Sequence, residues 1–208
     1  MKPLSKNKIL TTGIIVLVVI AFAQIRCTNQ PAAPAAMTHD QLLERGKYLV
    51  TTIGCNDCHS PKIFTQMGPV PDTTRMLSGH PANGPMLSMD TNALHPGFGY
   101  VMTADLTEFI GPWGISFTAN LTPDSATGLG AWTEEQFAGA LRTGKHLGLP
   151  GGRDILPPMP WNWFAHLTDD DLNSIYTYLH SLPAISNKVP VPVAPPDVIA
   201  MVKTMKKK

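Results

Sequence analysis

Cys55-Asn56-Asp57-Cys58-His59 sets two thiols and an imidazole within one short stretch, and no other feature restricts the possible folds of this chain so tightly. The C-x-x-C-H register reads as the attachment site of a c-type haem. Each thiol can form a thioether with one haem vinyl group, and the imidazole beside the second thiol is delivered to one face of the iron. A chain built around this pentapeptide is expected to carry electrons. A thioredoxin-like pair expects a strand-helix-strand context, and a zinc site needs two further ligands at finger-like spacing. Neither pattern is present. The remaining cysteine, Cys27, lies far upstream, and His80 and His95 are too distant from Cys58 and from each other.

Residues 1–26 read as an export signal or membrane anchor. Lys2, Lys6 and Lys8 precede an uncharged run over residues 9–23 that is rich in Ile, Val and Leu. The chain is therefore expected to leave the cytoplasm, in keeping with covalent haem attachment on the outer face of a membrane. Three outcomes compete for this segment. The run is long for a signal and short for a span, so retention as an anchor is one. Cleavage after Ala21-Phe22-Ala23 is another, and lipidation at Cys27 is the third, although Arg26 departs from the small residue a lipoprotein signal wants there. Membrane attachment on the periplasmic side of a bacterial cytoplasmic membrane is the favoured expectation, with residues 27–37 as a flexible tether.

Residues 38–191 are long enough for a single domain with one core. Thr38 with Gln41, Thr133 with Gln136 and Thr168 with Asp171 each place an N-cap hydroxyl three residues before a side-chain acceptor, the capping-box arrangement or its near variant. Each opens a helical pattern. The first carries Leu42, Leu43, Leu49 and Val50 to about Ile53. The second carries Phe137, Ala140 and Leu141 and ends near Gly144, and the third carries Leu172, Ile175, Tyr176 and Leu179 and stops before Pro183. Residues 60–131, dense in Gly and Pro, read as a long irregular insertion. Within it, residues 100–104 and 113–119 are candidates for a small hairpin. Asn120-Leu121-Thr122, a glycosylation sequon by pattern, reads here as turn chemistry continued by Pro123-Asp124. Residues 192–208 read as an extended basic tail carrying Lys203, Lys206, Lys207 and Lys208. The formal net charge of +1 implies neither nucleic acid nor a strongly charged partner.

A six-coordinate iron needs a ligand opposite His59, and ten methionines compete for the place. Met159 is the strongest candidate. It sits in Leu156-Pro157-Pro158-Met159-Pro160-Trp161, where three prolines limit backbone freedom around an intrinsically flexible thioether. Met86 and Met89, in the insertion, are the runners-up. His80, His95, His146 and His166 permit ligation by a second imidazole in principle, but none stands in a comparably rigid loop. Arg142, Arg153, Trp161, Trp163 and, less so, Asn120 are candidate hydrogen-bonding partners for haem propionates.

The order of capped helix, Cys55-Asn56-Asp57-Cys58-His59, Pro157-Pro158-Met159-Pro160 and a final helix with Leu172, Ile175, Tyr176, Tyr178 and Leu179 resembles a class I cytochrome c. More narrowly, Asn120-Leu121-Thr122-Pro123-Asp124, Gly128-Leu129-Gly130-Ala131-Trp132 and the stretch from Phe137 through Arg142-Thr143-Gly144 are similar to cytochrome domains of membrane-associated dehydrogenase complexes. The resemblance implies an all-α, cytochrome c-like domain around one covalently bound haem c. In it Cys55 and Cys58 carry the haem, His59 is the proximal iron ligand and Met159 the distal one, and the first and last helices cross near Gly46 and Tyr176. It departs from the family in having a single haem motif and a long insertion after it. The expected function is periplasmic one-electron transfer between a respiratory dehydrogenase or quinol-oxidising complex and a terminal acceptor, with no catalytic residue of its own. The alternatives are a haem subunit of a larger dehydrogenase complex, and a peroxidase-like enzyme or gas sensor with an open iron position.

Overall fold

A computed structural model of the chain describes residues 36–84, 86–87 and 91–205. The export segment, most of the tether with Cys27, Met89 and the last three lysines lie outside the described residues. Three helices begin where the hydroxyl caps place them. Helix α1, His39–Thr52, and helix α3, Glu134–Thr143, each open on a full capping box in which threonine and glutamine satisfy each other's backbone N–H groups. Helix α5, Asp169–Ser181, opens on Thr168, whose hydroxyl accepts from the Asp171 N–H. Gly144 ends α3 in the left-handed conformation that a Cβ would strain. Two short helices complete this part: α2, Cys55–His59, which is the C-x-x-C-H pentapeptide itself, and α4, Trp161–Phe164.

Helices α1 and α5 make the most extensive contact between elements. Gly46 permits it, since a Cβ there would stand 2.0 Å from the Ser174 carbonyl oxygen and 2.6 Å from Tyr178 Cβ. The crossing therefore meets Ser174 and Tyr178, one helical turn apart. Tyr176 between them turns to another face, donates its hydroxyl to the Trp132 carbonyl at 2.9 Å and sets its ring 5.9 Å from Phe137. Leu49, Val50, Leu129, Phe137, Leu141, Leu172, Ile175 and Leu179 form the core these helices share.

The all-α expectation needs correction, because helices are joined by two small antiparallel sheets. In one, β1 (Lys62–Thr65) pairs with β2 (Gly68–Pro71). In the other, β3 (Val101–Met102), β4 (Glu108–Gly111) and β5 (Gly114–Phe117) lie side by side in chain order. The expected hairpin thus has a middle strand that sequence reading passed over. All of β4 is buried, so it lacks the alternation of apolar and polar residues that marks a strand. The insertion is likewise structured rather than irregular throughout.

The tail is corrected too. After Val193 pairs with Ile115, residues Pro195–Met205 form helix α6 instead of an extended segment. Proline in the first turn is compatible with a helix, since its missing N–H has no intrahelical partner there. Val198 and Val202, one turn apart, are buried, and Val198 joins Ala93, Ile110 and Ile115 in a second core. No described helix is long and apolar enough to cross a membrane.

Candidate haem site

Gly54, left-handed at φ 77°, reverses the chain out of α1 and starts the single turn of α2. Cys58 and His59 follow Cys55 by three and four residues, the spacing that puts side chains on one helical face. Both thiols are free and half-buried. Burial pushes the Cys55 thiol up to about 11, and it raises Cys58 against the opposing influence of Lys62. A redox-active Cys-x-x-Cys pair shows the reverse, a thiol shifted downward.

His59 is buried, and its Nδ1 lies 2.8 Å from the Ala119 carbonyl oxygen. A carbonyl only accepts, so Nδ1 carries the hydrogen and Nε2 keeps its lone pair. Burial holds the imidazole below its ordinary range, outweighing the pull of the same carbonyl, and so favours the neutral ring. A neutral imidazole oriented by N–H···O=C is the form that ligates a metal. These residues fit a covalently held haem.

Met159 is half-buried and packs against the helical core, as does Cys55. Its loop is tied from two sides. Ile155 N–H donates to the Gly144 carbonyl at 2.8 Å, and the Ser116 hydroxyl donates to the Pro157 carbonyl at 2.6 Å. Met86 is 45 % exposed and Met89 lies outside the described residues. Of the histidines, His80 is buried with Nδ1 2.9 Å from the Thr107 hydroxyl, His146 meets Trp132 edge-to-face, and His95 and His166 are exposed. The propionate candidates have partners or surroundings of their own. Arg142 is engaged by the Ala165 carbonyl and Asp169, Trp161 packs on Gly144, Trp163 and Arg153 are exposed, and Asn120 donates to the Ile185 carbonyl.

Sequence reading missed the residues that hold His59. The segment from Leu77 to His80 lies between the haem motif and the loop that ends in Ala119. Leu77 N–H donates to the Ser60 hydroxyl at 2.8 Å, Gly79 N–H to the His59 carbonyl at 2.7 Å, and His80 N–H to the Thr118 carbonyl at 3.0 Å. Asn187, from beyond α5, donates to the Ser78 and His80 carbonyls at 2.7 and 2.8 Å. Backbone groups do most of this, and a backbone carbonyl leaves no signature in a sequence.

No family model matches the chain. It is 28 % identical over 162 residues to the cytochrome c subunit of a quinone alcohol dehydrogenase from Gluconobacter oxydans, covering 76 % of this chain and 26 % of that protein. It is 27 % identical over 169 residues to the fructose dehydrogenase cytochrome subunit of Gluconobacter japonicus, covering 81 % and 26 %. The chain is thus similar to cytochrome c subunits of dehydrogenase complexes. A third relative, the gluconate 2-dehydrogenase cytochrome c subunit of Pantoea cypripedii, is 28 % identical over 140 residues, covering 67 % of the chain and 23 % of that protein. The chain thus spans about a quarter of the length of these cytochrome subunits. Its C-x-x-C-H motif lies on the turn that carries the buried His59.

Proposed function

We propose that this protein is a monohaem c-type cytochrome that relays single electrons as a haem subunit of, or carrier for, a dehydrogenase complex on the periplasmic face of a bacterial cytoplasmic membrane. One observation carries the reading: the hydrogen bond from His59 to Ala119 leaves Nε2 as a free donor on the same helical turn as two unpaired thiols. The relatives named as dehydrogenase cytochrome subunits support the dehydrogenase partner.

Haem c supplies reversible one-electron chemistry at iron. The chain's own part is to hold and tune it. Cys55 and Cys58 anchor the group, His59 gives the imidazole ligand and Met159 the thioether. The burial of Met159 beside the core that also receives Cys55 supports it over exposed Met86. A soft sulfur donor favours the ferrous state and so raises the potential, which suits the downstream end of an electron chain.

The test begins with the purified chain, whose haem must survive acid-acetone extraction and add one haem to the intact mass. Met159→Ala is expected to abolish the weak sulfur-to-ferric-iron band at the red end of the spectrum, open the iron to carbon monoxide and lower the potential. Met86→Ala is expected to change none of these. Extractable haem overturns the attachment, and a sulfur band that survives Met159→Ala overturns the ligand.

A further inference from the structure

Gly79 touches the two groups that orient His59. Its N–H donates to the His59 carbonyl at 2.7 Å. On its other side there is no room for a side chain, because a Cβ would stand 2.5 Å from the Ala119 carbonyl carbon and 2.6 Å from its oxygen. That oxygen is the acceptor of the His59 Nδ1–H. Gly79 also adopts φ 78°, where any side chain is strained, and its neighbour but one, Leu77, is left-handed at φ 59° with a buried side chain. Such a conformation persists in a leucine only where surrounding contacts over-determine it. Here they do. Leu77 is bonded to Ser60 through its N–H and to the Leu121 N–H through its carbonyl, and Asn187 donates to the carbonyls of both neighbours of Gly79, Ser78 and His80.

We infer that Gly79, between two neighbours held by Asn187, is a positioning residue that leaves the Ala119 carbonyl room to reach His59 and thereby sets the reduction potential. The inference rests on the haem reading of His59 given above. The physical link is the basicity of the ligand. A carbonyl that accepts from Nδ1–H pushes electron density toward Nε2, strengthens the imidazole as a donor and favours ferric iron. If the carbonyl is displaced, the imidazole becomes a poorer donor and the potential rises.

The experiment uses the full-length holoprotein in four forms: wild type, Gly79→Ala, Asn187→Ala and Gly46→Ala. Haem loading is read by pyridine haemochrome, potential by redox titration, and the hydrogen bond by proton exchange of His59 Nδ1–H in the NMR spectrum of the reduced protein. Gly79→Ala is expected to raise the ferrous-to-ferric ratio about tenfold at a fixed ambient potential, about 59 mV for one electron, and to speed the exchange. Asn187→Ala, which removes two donors without adding an atom, should shift both in the same direction by less, and it decides the matter if Gly79→Ala fails to accumulate. Gly46→Ala should weaken the fold at the helix crossing yet leave potential and exchange unchanged, so a general loss of stability is not mistaken for positioning. Full haem loading with potential and exchange unmoved in Asn187→Ala and in any Gly79→Ala that accumulates overturns the inference alone. A wild-type chain that takes up no haem overturns the functional reading as well.

Discussion

Asp171 shows how one side chain in α5 serves the crossing of two helices. Arg45 of α1 reaches it at 2.6 Å, and it lies at the third position of α5, beneath the Thr168 cap. Burial pushes the carboxyl up, but hydrogen bonds from Arg45 and Thr168 together with the Arg45 charge outweigh it, so the group sits below the ordinary carboxylate range. The native state thus binds the proton less readily than the unfolded chain does. Its stabilisation is complete above the unfolded value of about 4 and is lost as pH falls through the depressed native one. Because the Arg45 side chain is 47 % exposed, the pair is screened and worth about 1 kcal/mol or less. Asp171→Asn should therefore lower the melting temperature by about 2–4 °C at pH 7, and the two proteins should converge in strong acid. A difference that persists at low pH in thermal scans would assign the effect to packing instead.

At the scale of elements, the capped helices α1, α3 and α5 were legible because caps and apolar spacing are local chemistry. The strands and α6 were not. Buried β4 reads as Glu108-Phe109-Ile110-Gly111, which shows no period at all. Pro195 and Pro196 suggested an extended tail, whereas the Val198 and Val202 pair one turn apart forms the face that covers β5 and the second core. That core makes α6 necessary to the sheet beneath it. Val198→Ala removes two buried methyl groups at a fully buried position and should cost about 2 kcal/mol. Urea unfolding of the holoprotein measures this, and an effect within about 0.5 kcal/mol, the usual range for a surface change, would mean that α6 does not contribute packing energy.

For the molecule as a whole, the insertion is the framework of the proposed haem site. Ser116 in β5 reaches the Met159 loop through Pro157, and Ala119, two residues past the end of β5, reaches the His59 ring. One short stretch thus supports both proposed ligands. The apolar run at residues 9–23 predicts where this assembly works. Fractionation should find the full-length protein in membranes, and a form exported from Met37 onward in the soluble periplasmic fraction. A mature protein beginning at Gln24 in the soluble fraction would show cleavage in place of anchoring.

The sequence alone determined the C-x-x-C-H pentapeptide, the starts of three helices and Met159 as the favoured candidate for a distal ligand, since each depends on residue types at short fixed spacing. Gly46 at the helix crossing was placed by resemblance to a cytochrome. Tertiary structure decided what depends on groups far apart in the chain. It chose the Ala119 carbonyl to orient His59, turned Ser174 and Tyr178 rather than Tyr176 toward Gly46, and brought Asn187 back to Ser78 and His80. Backbone carbonyls are chemically identical at every position, so only the folded path of the chain can single one out.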